Sequence, residues 1–289
     1  MYLNNLLKVR SFNIFKKIKK NEVTKHIKTK IGKWQVIHSP DRKFLWIKNA
    51  KVAGTSMYRG ILDKEVDDLL TYKKNPNKFD KWWNSLTDKK LNSYFKFMFV
   101  RNPFDRVLSA FSHIILEEVL SIYGSSWPMI HHYWGPEETL KKTKSNFLAK
   151  DVLNFDTVLL LFGLFLKRGL SYDINEDSRH WMPQSILAEC NGKLIVDFVG
   201  RYENLVMDWR SVANKLKVSQ KLPFVPISTT SQSKNGGTRE QLQKLQWSQY
   251  YLCNELVEFV SKQYKRDFEL FNYGDSIIQL KQRIELANG

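Results

Sequence analysis

Cysteine is scarce in this chain of 289 residues, which contains only Cys190 and Cys253. A disulfide framework requires several pairs and a thiolate metal site requires clustered cysteines, so both classes are excluded. A reducing compartment is the simpler interpretation, although one disulfide between the two cysteines stays open. The 13 glycines and 8 prolines are too few for a low-complexity chain, and we therefore expect a globular protein.

Long hydrophobic runs are missing too, because no stretch approaches the roughly 18 to 20 apolar residues of a membrane-spanning helix. The best candidate, Phe155 to Leu166, is interrupted by Asp156 and Thr157, which indicates a buried core helix instead. The N-terminus also lacks the apolar run and the small-residue cleavage site of a secretory signal. These absences predict a cytoplasmic protein.

Acidic residues are outnumbered, since 46 Lys and Arg stand against 29 Asp and Glu for a formal net charge of +17. Residues 1–33 form a basic N-terminal segment with ten basic residues and the single acid Glu22, and the other 256 residues carry only +8. An excess of that size suits an anionic small ligand or a polyanionic substrate as well as nucleic acid. We expect the segment to be a solvated or loosely docked tail, and the alternative is a basic amphipathic helix in peripheral membrane contact.

Strand and helix patterns alternate from Trp34 onward. Apolar runs predict strands at "KWQVIH", "KFLWIKN", "YFKFMFV" and "KLIVDFVG", and helical spacing follows the second and the third of them. This order predicts an α/β fold over residues 34–289, a single P-loop-like domain whose central, mostly parallel β-sheet is flanked by helices and binds ligands at the C-terminal strand ends. Residues 121–146 are predicted to form a long loop or insertion, whose aromatic side chains either contact a bound substrate or pack within the loop.

The first candidate site lies where the strand "KFLWIKN" passes into a helix through "AKVAGTS". The unpaired N–H groups and the dipole of a helix start favour an anion there. Ala53 and Gly54 leave room for it, Thr55 and Ser56 add hydroxyl donors, and Lys51 adds a full charge. The pattern predicts a phosphate site, whereas a tight turn with a Thr or Ser helix cap would explain the small residues but not Lys51.

The second candidate site is "FVRNPFDRVLSAF", where another predicted strand passes into a helix. Arg101 leaves the end of the strand, Asn102 is suited to cap the helix, and Pro103 stands at the first helical position. Arg101 and Ser109 are predicted to hold a second phosphate. Taken singly, these residues would also suit a capped helix with a salt-bridged arginine.

A nucleotide-binding P-loop is the obvious comparison, but the lysine precedes the glycine here, so a conventional ATPase is disfavoured. The stretch "LIVDFVG" has the look of a Walker B strand, which would place Asp197 near Mg²⁺, and we interpret it as core. A P-loop-type kinase or NTPase is kept as the alternative enzyme. A basic nucleic-acid or membrane-surface binding protein is the alternative from another class.

The two motifs resemble those of the sulfotransferases that use 3′-phosphoadenosine 5′-phosphosulfate (PAPS). Within that family the resemblance is to the carbohydrate sulfotransferase-like branch, which is of the sulfotransferase family 2 type. "NAKVAGTS" is similar to the 5′-phosphosulfate loop of that family, and "FVRNPFDRVLSAF" is similar to its 3′-phosphate motif. "RHWMPQ", "DFVGRYENL" and "YKRDFELFNYG" resemble later landmarks of the branch, in the same order. Ala50 replaces the usual proline before the lysine, which we expect to relax the turn without removing the chemistry.

The resemblance implies an enzyme that moves the sulfuryl group of PAPS to a hydroxyl of a carbohydrate or glycoconjugate acceptor by in-line displacement, with no metal and no nucleic-acid partner. Lys51 would contact the 5′-phosphosulfate and stabilise the charge that grows on the bridging oxygen. The other implied donor ligands are Ala53, Gly54, Thr55 and Ser56 for the 5′-phosphosulfate, and Arg101 and Ser109 for the 3′-phosphate.

The base that takes the proton of the acceptor hydroxyl departs from the family pattern. In the heparan sulfate O-sulfotransferases a histidine lies between the two phosphate motifs, but residues 57–100 contain none. His180 in "RHWMPQ" is the candidate catalytic base, with acceptor binding or a core role as alternatives. Three further histidines are weaker candidates: His113, His131 and His132. Arg201 and Glu203 are predicted to form a structural pair.

Overall fold

The computed structural model describes residues 21–62, 69–111, 162–163, 166, 178–222 and 254–288. The strands in these ranges are β1 (Val36–Ser39), β2 (Phe44–Ile47), β3 (Leu70–Thr71), β4 (Phe95–Val100), β5 (Glu189–Cys190), β6 (Lys193–Leu194) and β7 (Phe198–Arg201). Five of them form the central sheet in the order β3-β1-β2-β4-β7, and β5 pairs with β6 in a separate two-stranded sheet.

The central sheet is mostly parallel, as predicted. β4 pairs in parallel with both β2 and β7, whereas β1 pairs antiparallel with β2 and β3. Four of the five strands therefore run in one direction, and β1 runs in the other. The neighbouring strands β2 and β4 end at the same edge of the sheet, and both candidate phosphate motifs follow them there.

Helices surround the sheet on both faces. The α-helices of the described ranges are α1 (Glu22–His26), α2 (Gly54–Leu62), α3 (Pro76–Asn84), α4 (Asp88–Leu91), α5 (Pro103–Ala110), α6 (Ser185–Ala188), α7 (Leu205–Leu216), α8 (Asn254–Gln263), α9 (Lys265–Leu270) and α10 (Gly274–Asn288). A π-helical turn covers Ile27–Ile31, and 3₁₀ turns cover Lys33–Gln35, Ser178–His180 and Tyr202–Asn204. The two helices predicted to follow β2 and β4 are present as α2 and α5.

Side chains of the central strands alternate between two apolar clusters, as the two-residue period of a strand requires. In β2, Leu45 and Ile47 belong to one cluster, and Phe44 and Trp46 belong to the other. The first cluster is covered by α3, α5, α8 and α9, and the second by α2 and α7. This arrangement of helix, sheet and helix confirms the predicted α/β class.

Residues 193–200, predicted as one strand, instead contribute to two different sheets. The cause is the dipeptide Asn191–Gly192, whose φ angles are 52° and 78°, because two positive φ values are what a tight two-residue hairpin turn requires. This turn folds β6 back on β5, and the chain joins the central sheet only where Asp197 N–H donates to Lys96 O at 2.7 Å. The asparagine–glycine pair was the sequence signal for this hairpin.

The basic N-terminal segment is in part a packed element. Ile27 and Ile31 are buried in the first apolar cluster, and Thr24 Oγ1 donates to Asp88 Oδ1 at 2.6 Å. The folded part of the chain therefore begins before the boundary predicted at residue 33. The predicted amphipathic stretch and the loop 121–146 lie outside the described residues.

The apolar run around Phe162 is described at three positions, all of them helical. Phe162 and Leu166 are fully buried, as expected for a core helix. Across the described ranges, the helices are all too short or too polar to span a membrane.

His38 of β1 is an imidazole buried without polar compensation. Its ring stacks on Trp82 with 3.5 Å between centroids and 17° between planes, and its surface is fully buried. Within the described part of the chain neither ring nitrogen has a hydrogen-bond partner. Burial, with a smaller effect of the Lys90 charge, lowers the pKa of His38 to about 3, so the folded protein holds the ring neutral.

We predict that His38 makes the fold sensitive to acid. Between pH 7.5 and pH 5 the free energy of unfolding should fall by about 2 kcal/mol through this group, because the unfolded chain binds a proton there below a pKa of about 6.5 and the folded chain does not. Denaturant unfolding at both pH values measures the loss, and His38→Leu should lack it. Leu45→Ala, across the β1–β2 pair from His38, should be destabilised but keep the pH dependence. An unaltered pH dependence in His38→Leu would contradict the prediction.

Candidate active site

The loop between β2 and α2 has an unusual backbone. Lys51 and Ala53 both adopt the left-handed region, with φ angles of 65° and 61°, although neither is glycine. Such conformations cost energy and are often held in place at ligand sites, and they turn successive N–H groups into an anion-binding concavity. Val52 between them is fully buried and anchors the loop in the second apolar cluster.

The first turn of α2 adds further donors to this loop. The first helical hydrogen bond runs from Met57 N–H to Ala53 O at 3.1 Å. The N–H groups of Gly54, Thr55 and Ser56 precede it and have no acceptor within the helix. A helix start with such N–H groups and with a small residue at position 54 is suited to an anion, so these residues fit the 5′-phosphosulfate group that the sequence predicts here.

The second motif is built as the sequence predicted. Asn102 caps α5, because its Oδ1 accepts the N–H of Phe104 at 3.0 Å, and Pro103 occupies the first helical position. The Asn102 N–H in turn donates to Glu203 Oε1 at 2.7 Å. The cap directs the chain so that Arg101 leaves β4 next to the loop that follows β2.

Arg101 joins the two motifs. Its Nη1 donates to the carbonyl oxygen of Lys51 at 3.3 Å, its Nε pairs with Asp105 Oδ2, and its guanidinium carbon lies 4.2 Å from the ring centroid of Tyr202. These contacts use two of its five N–H donors and hold the side chain at 14% exposure. Arg101 is therefore an oriented cation, with donors left for an anionic ligand.

Ser109 lies one turn after Asp105 on the same face of α5 and is half-buried. Among the contacts of the described residues, none joins Ser109 to Arg101. Its role as a second ligand of the 3′-phosphate stays a prediction.

Gln184 fixes the distance between the two motifs. Its side-chain amide accepts the Arg101 N–H at 2.9 Å and donates to the Arg101 carbonyl at 2.8 Å, as a neighbouring strand would. Its Oε1 also accepts from Asn49 Nδ2 at 2.7 Å, and Asn49 Nδ2 reaches Phe99 O at 3.1 Å. Gln184 and Asn49 are both fully buried, so the ends of β2 and β4 are tied together inside the protein.

The carboxylate of Asp267 in α9 fixes the backbone at Gln184. Its carboxylate accepts the N–H groups of Gln184 and Ser185 at 2.7 Å and 2.8 Å. Burial raises the pKa of Asp267, and the hydrogen bonds from Ser185 and Gln184 and the charge of Arg106 act against that rise. The carboxylate thus links the segment that contains Gln184 to helix α9.

Arg106 of α5 is fully buried and binds three carbonyl groups. Nε donates to Ala50 O at 3.1 Å, Nη1 to Met182 O at 2.8 Å and Nη2 to Arg179 O at 3.3 Å. Burial lowers the pKa of Arg106, while the Asp267 carboxylate acts to raise it. One guanidinium therefore connects the loop that follows β2 with the segment that contains His180.

His180 ends the 3₁₀ turn Ser178–His180 and is half-buried. Its Nε2 lies 3.5 Å from Nε of Arg179, the residue whose carbonyl oxygen is bound by Arg106. The turn that contains the candidate base is thus linked through Arg106 to the loop that follows β2. His113, His131 and His132 lie outside the described residues.

Comparison with known protein families matches residues 34–274 to the sulfotransferase family. The chain belongs to the sulfotransferase family. This match confirms the resemblance seen in the sequence, and it spans both phosphate motifs and all three later landmarks. No solved structure matches the chain.

Several carbohydrate sulfotransferases are similar to this family member. Carbohydrate sulfotransferase 14 of Danio rerio is 28% identical over 191 residues, which cover 64% of this chain and 45% of that protein. Carbohydrate sulfotransferase 11 of Rattus norvegicus is 27% identical over 186 residues, with coverage of 64% and 48%. Carbohydrate sulfotransferase 12 of Mus musculus is 27% identical over 209 residues, with coverage of 71% and 46%. The chain spans less than half the length of these relatives.

Asp197, the residue that suggested a Walker B strand, lies away from the two loops that follow β2 and β4. Its Oδ2 pairs with Lys96 Nζ at 2.9 Å and accepts the Lys96 N–H at 2.7 Å. Asp197 precedes β7 and Lys96 lies near the start of β4, whereas the anion-binding loops follow the strand ends. The pair stands at the opposite edge of the sheet from those loops, where a Walker B aspartate would not lie, but the Asp197 side chain is exposed and the stretch is only partly core.

Arg201 and Glu203 do not form the direct pair that was predicted, since no ion pair between them is found in the described residues. Glu203 Oε2 instead accepts the Tyr273 hydroxyl at 2.7 Å, and the guanidinium carbon of Arg201 lies 4.8 Å from the Tyr273 ring centroid. Arg201 Nη2 also donates to the Phe271 carbonyl oxygen. Both residues are structural. Through Tyr273 they connect the turn at Asn102 to the segment between α9 and α10.

Sequence reasoning missed three residues that support the candidate site, which are Asn49, Gln184 and Asp267. Each stood inside or beside a quoted motif, but nothing in its neighbours along the chain indicates its partner. Gln184 and Asp267 are 83 residues apart. A buried amide or carboxylate of this kind can be recognised only when the packed partners are known.

We predict that Gln184→Leu destabilises the fold by about 2–4 kcal/mol, because both backbone groups of Arg101 would lose their partner and the Asn49 amide would keep only its bond to Phe99 O. Urea unfolding measures the change. Gln220→Leu is the matched control, since Gln220 donates its amide to Asn214 at the exposed end of α7 and should shift stability by no more than about 0.5 kcal/mol. A Gln184→Leu protein as stable as the control would contradict the role of this amide.

Proposed function

We propose that the protein transfers the sulfuryl group of PAPS to a hydroxyl of a carbohydrate or glycoconjugate acceptor by in-line displacement. The observation that carries the proposal is the contact of Arg101 Nη1 with the Lys51 carbonyl at 3.3 Å. The contact brings an anion-binding loop close to an oriented arginine. The sulfate donor PAPS has a phosphosulfate group and a separate phosphate, and it therefore requires two such neighbouring anion sites. Membership of the sulfotransferase family supports the reaction type.

The 5′ end of the donor is assigned to the loop after β2. When bound, PAPS supplies an activated sulfuryl group on its 5′-phosphate. The N–H groups of Gly54, Thr55 and Ser56 would bind that end, and Ala53 would leave space beside it. Lys51 would place a cation where negative charge grows on the bridging oxygen, which is the electrostatic contribution that accelerates such a displacement.

The 3′-phosphate is assigned to Arg101 and Ser109. The ion pair with Asp105, the stacking on Tyr202 and the backbone hydrogen bonds of Gln184 orient Arg101 before any ligand arrives. An arginine so held loses little conformational freedom on binding a phosphate. Ser109 would add one hydroxyl donor from the next turn of the helix.

His180 is proposed as the base that accepts the proton of the acceptor hydroxyl. Its support is its position, because the Arg106 guanidinium connects the carbonyl group before it to the loop of Lys51. An imidazole can exchange a proton near neutral pH. A carbohydrate acceptor is proposed because the relatives of this chain are named as carbohydrate sulfotransferases.

We predict that Lys51→Ala lowers kcat/KM for sulfate transfer at least about 100-fold, because it removes a cation that acts on the developing charge. Transfer of labelled sulfate from PAPS to a panel of carbohydrates measures the loss, and thermal unfolding checks the fold. Lys89→Ala on α4, which is exposed, is the control and should keep full activity. Full activity in Lys51→Ala would overturn its assignment.

The donor itself is tested by calorimetry. The wild-type protein should bind adenosine 3′,5′-bisphosphate, which carries both phosphates of the desulfated donor, without added divalent cations. Tight binding of ATP with Mg²⁺, together with no binding of the bisphosphate, would instead favour the kinase or NTPase.

We predict that His180→Gln lowers kcat by about 100-fold or more, the usual contribution of a general base, with little change in the affinity for adenosine 3′,5′-bisphosphate. A base must be unprotonated to act, so wild-type kcat should decrease as the pH falls, and this decrease should disappear in the variant. The measurement is a pH profile of kcat for both proteins. A variant that keeps the wild-type profile would show that another group is the base.

A further inference from the structure

Lys48 is a second lysine close to the start of α2. It follows β2 directly and precedes Lys51 by three residues. A Cβ atom placed on Gly54 would lie 3.5 Å from Lys48 Cε and 4.0 Å from Lys48 Cγ. The aliphatic part of Lys48 therefore passes along the first turn of the helix, and its ammonium group lies only one bond beyond Cε.

The ammonium group of Lys48 lies in an electropositive environment. Within the described ranges no carboxylate forms an ion pair with it, and the charged groups that act on it are Lys73 and Arg179. Lys48 is exposed at its surface, and desolvation by the surrounding protein, followed by the charges of Lys73 and Arg179, lowers the pKa of its ammonium group. The positive end of the α2 dipole adds to the same potential. Neighbouring cations with no acid between them repel one another, and a bound anion would relieve that repulsion.

The other two cations each contact a different side chain. Lys73 Nζ lies 5.8 Å from the ring centroid of Trp34, which is 43% exposed. Arg179 Nε is 3.5 Å from His180 Nε2. Of the three, Lys48 is the one whose side chain runs along the anion-binding turn.

We propose that Lys48 is a second positioning cation of the phosphosulfate loop and binds the 5′-terminal group of the donor together with Lys51. This inference rests on the proposed function, because it takes the 5′ end of PAPS to lie at this turn. In the transfer, the bond between sulfur and the bridging oxygen breaks while the acceptor oxygen bonds to sulfur. The acceptor proton passes to the base, and the electron pair stays on the 5′-phosphate. Lys48 meets the charge that the 5′-phosphate gains.

The test compares two ligands that differ only at the 5′ position, adenosine 3′,5′-bisphosphate and adenosine 3′-monophosphate, by calorimetry and displacement titration. In Lys48→Gln the Kd of the bisphosphate should rise about tenfold, the effect of losing one charge-assisted hydrogen bond. The Kd of the 3′-monophosphate should stay within twofold. Lys48→Arg keeps the charge and should retain most of the bisphosphate affinity.

Lys89→Gln is the charge-matched control, since it removes the same charge from an exposed helix position, and it should bind both ligands as the wild type does. Two outcomes overturn the inference: a bisphosphate Kd in Lys48→Gln within twofold of wild type, or an equal loss for both ligands, which would mean that Lys48 shapes the loop without binding the 5′ group. A wild-type protein that binds no bisphosphate would instead overturn the proposed function itself.

Discussion

The amide of Gln184 is the contact on which the geometry of the site depends. It pairs with both backbone groups of Arg101 and with the side chain of Asn49, so the residue that follows β4 and the loop that follows the neighbouring strand β2 share one partner. Because all these groups are buried, any displacement would leave unpaired donors in a low-dielectric interior, at a cost of about 1–3 kcal/mol for each. Asp267 extends the restraint to helix α9, since its carboxylate accepts the backbone N–H groups of Gln184 and Ser185.

This restraint explains how the loop of Lys51 can keep a backbone that two non-glycine residues in the left-handed region make unfavourable. Buried Val52 holds the loop from the core side, and Arg106 binds the Ala50 carbonyl from the opposite motif. Sulfuryl transfer, as proposed here, relies on positioning and on charges placed in advance rather than on a strong nucleophile of the protein. A network of buried polar groups is suited to that task because each hydrogen bond fixes direction as well as distance, which apolar packing alone does not.

Much of the fold could be predicted because its signals are local. The apolar alternation of Phe44 to Ile47, the capping residues Asn102 and Pro103, and the small residues before α2 each depend on neighbours a few positions away. The strand that was expected near residue 195 failed for a local reason as well, since the Asn191–Gly192 turn was overlooked. The meeting of Lys51 with Arg101 was predictable only through two motifs at the ends of successive strands. The partners of Gln184, Asp267 and Arg106 are separated by dozens of residues, and one sequence contains no periodicity that reveals them.

The charges of the site form a consistent set in which acids and bases have separate tasks. Asp105 orients Arg101, and Asp267 lies close enough to Arg106 for its charge to favour the buried guanidinium. Both carboxylates interact with arginines of the site, and neither forms an ion pair with Lys48. The charged neighbours of Lys48 in the described ranges are cations. The C-terminal edge of β2 and β4 is thereby kept positive although each buried arginine is compensated. The positive charge at this edge is complementary to a ligand with two separate anionic groups. The proposed sulfate donor is such a ligand.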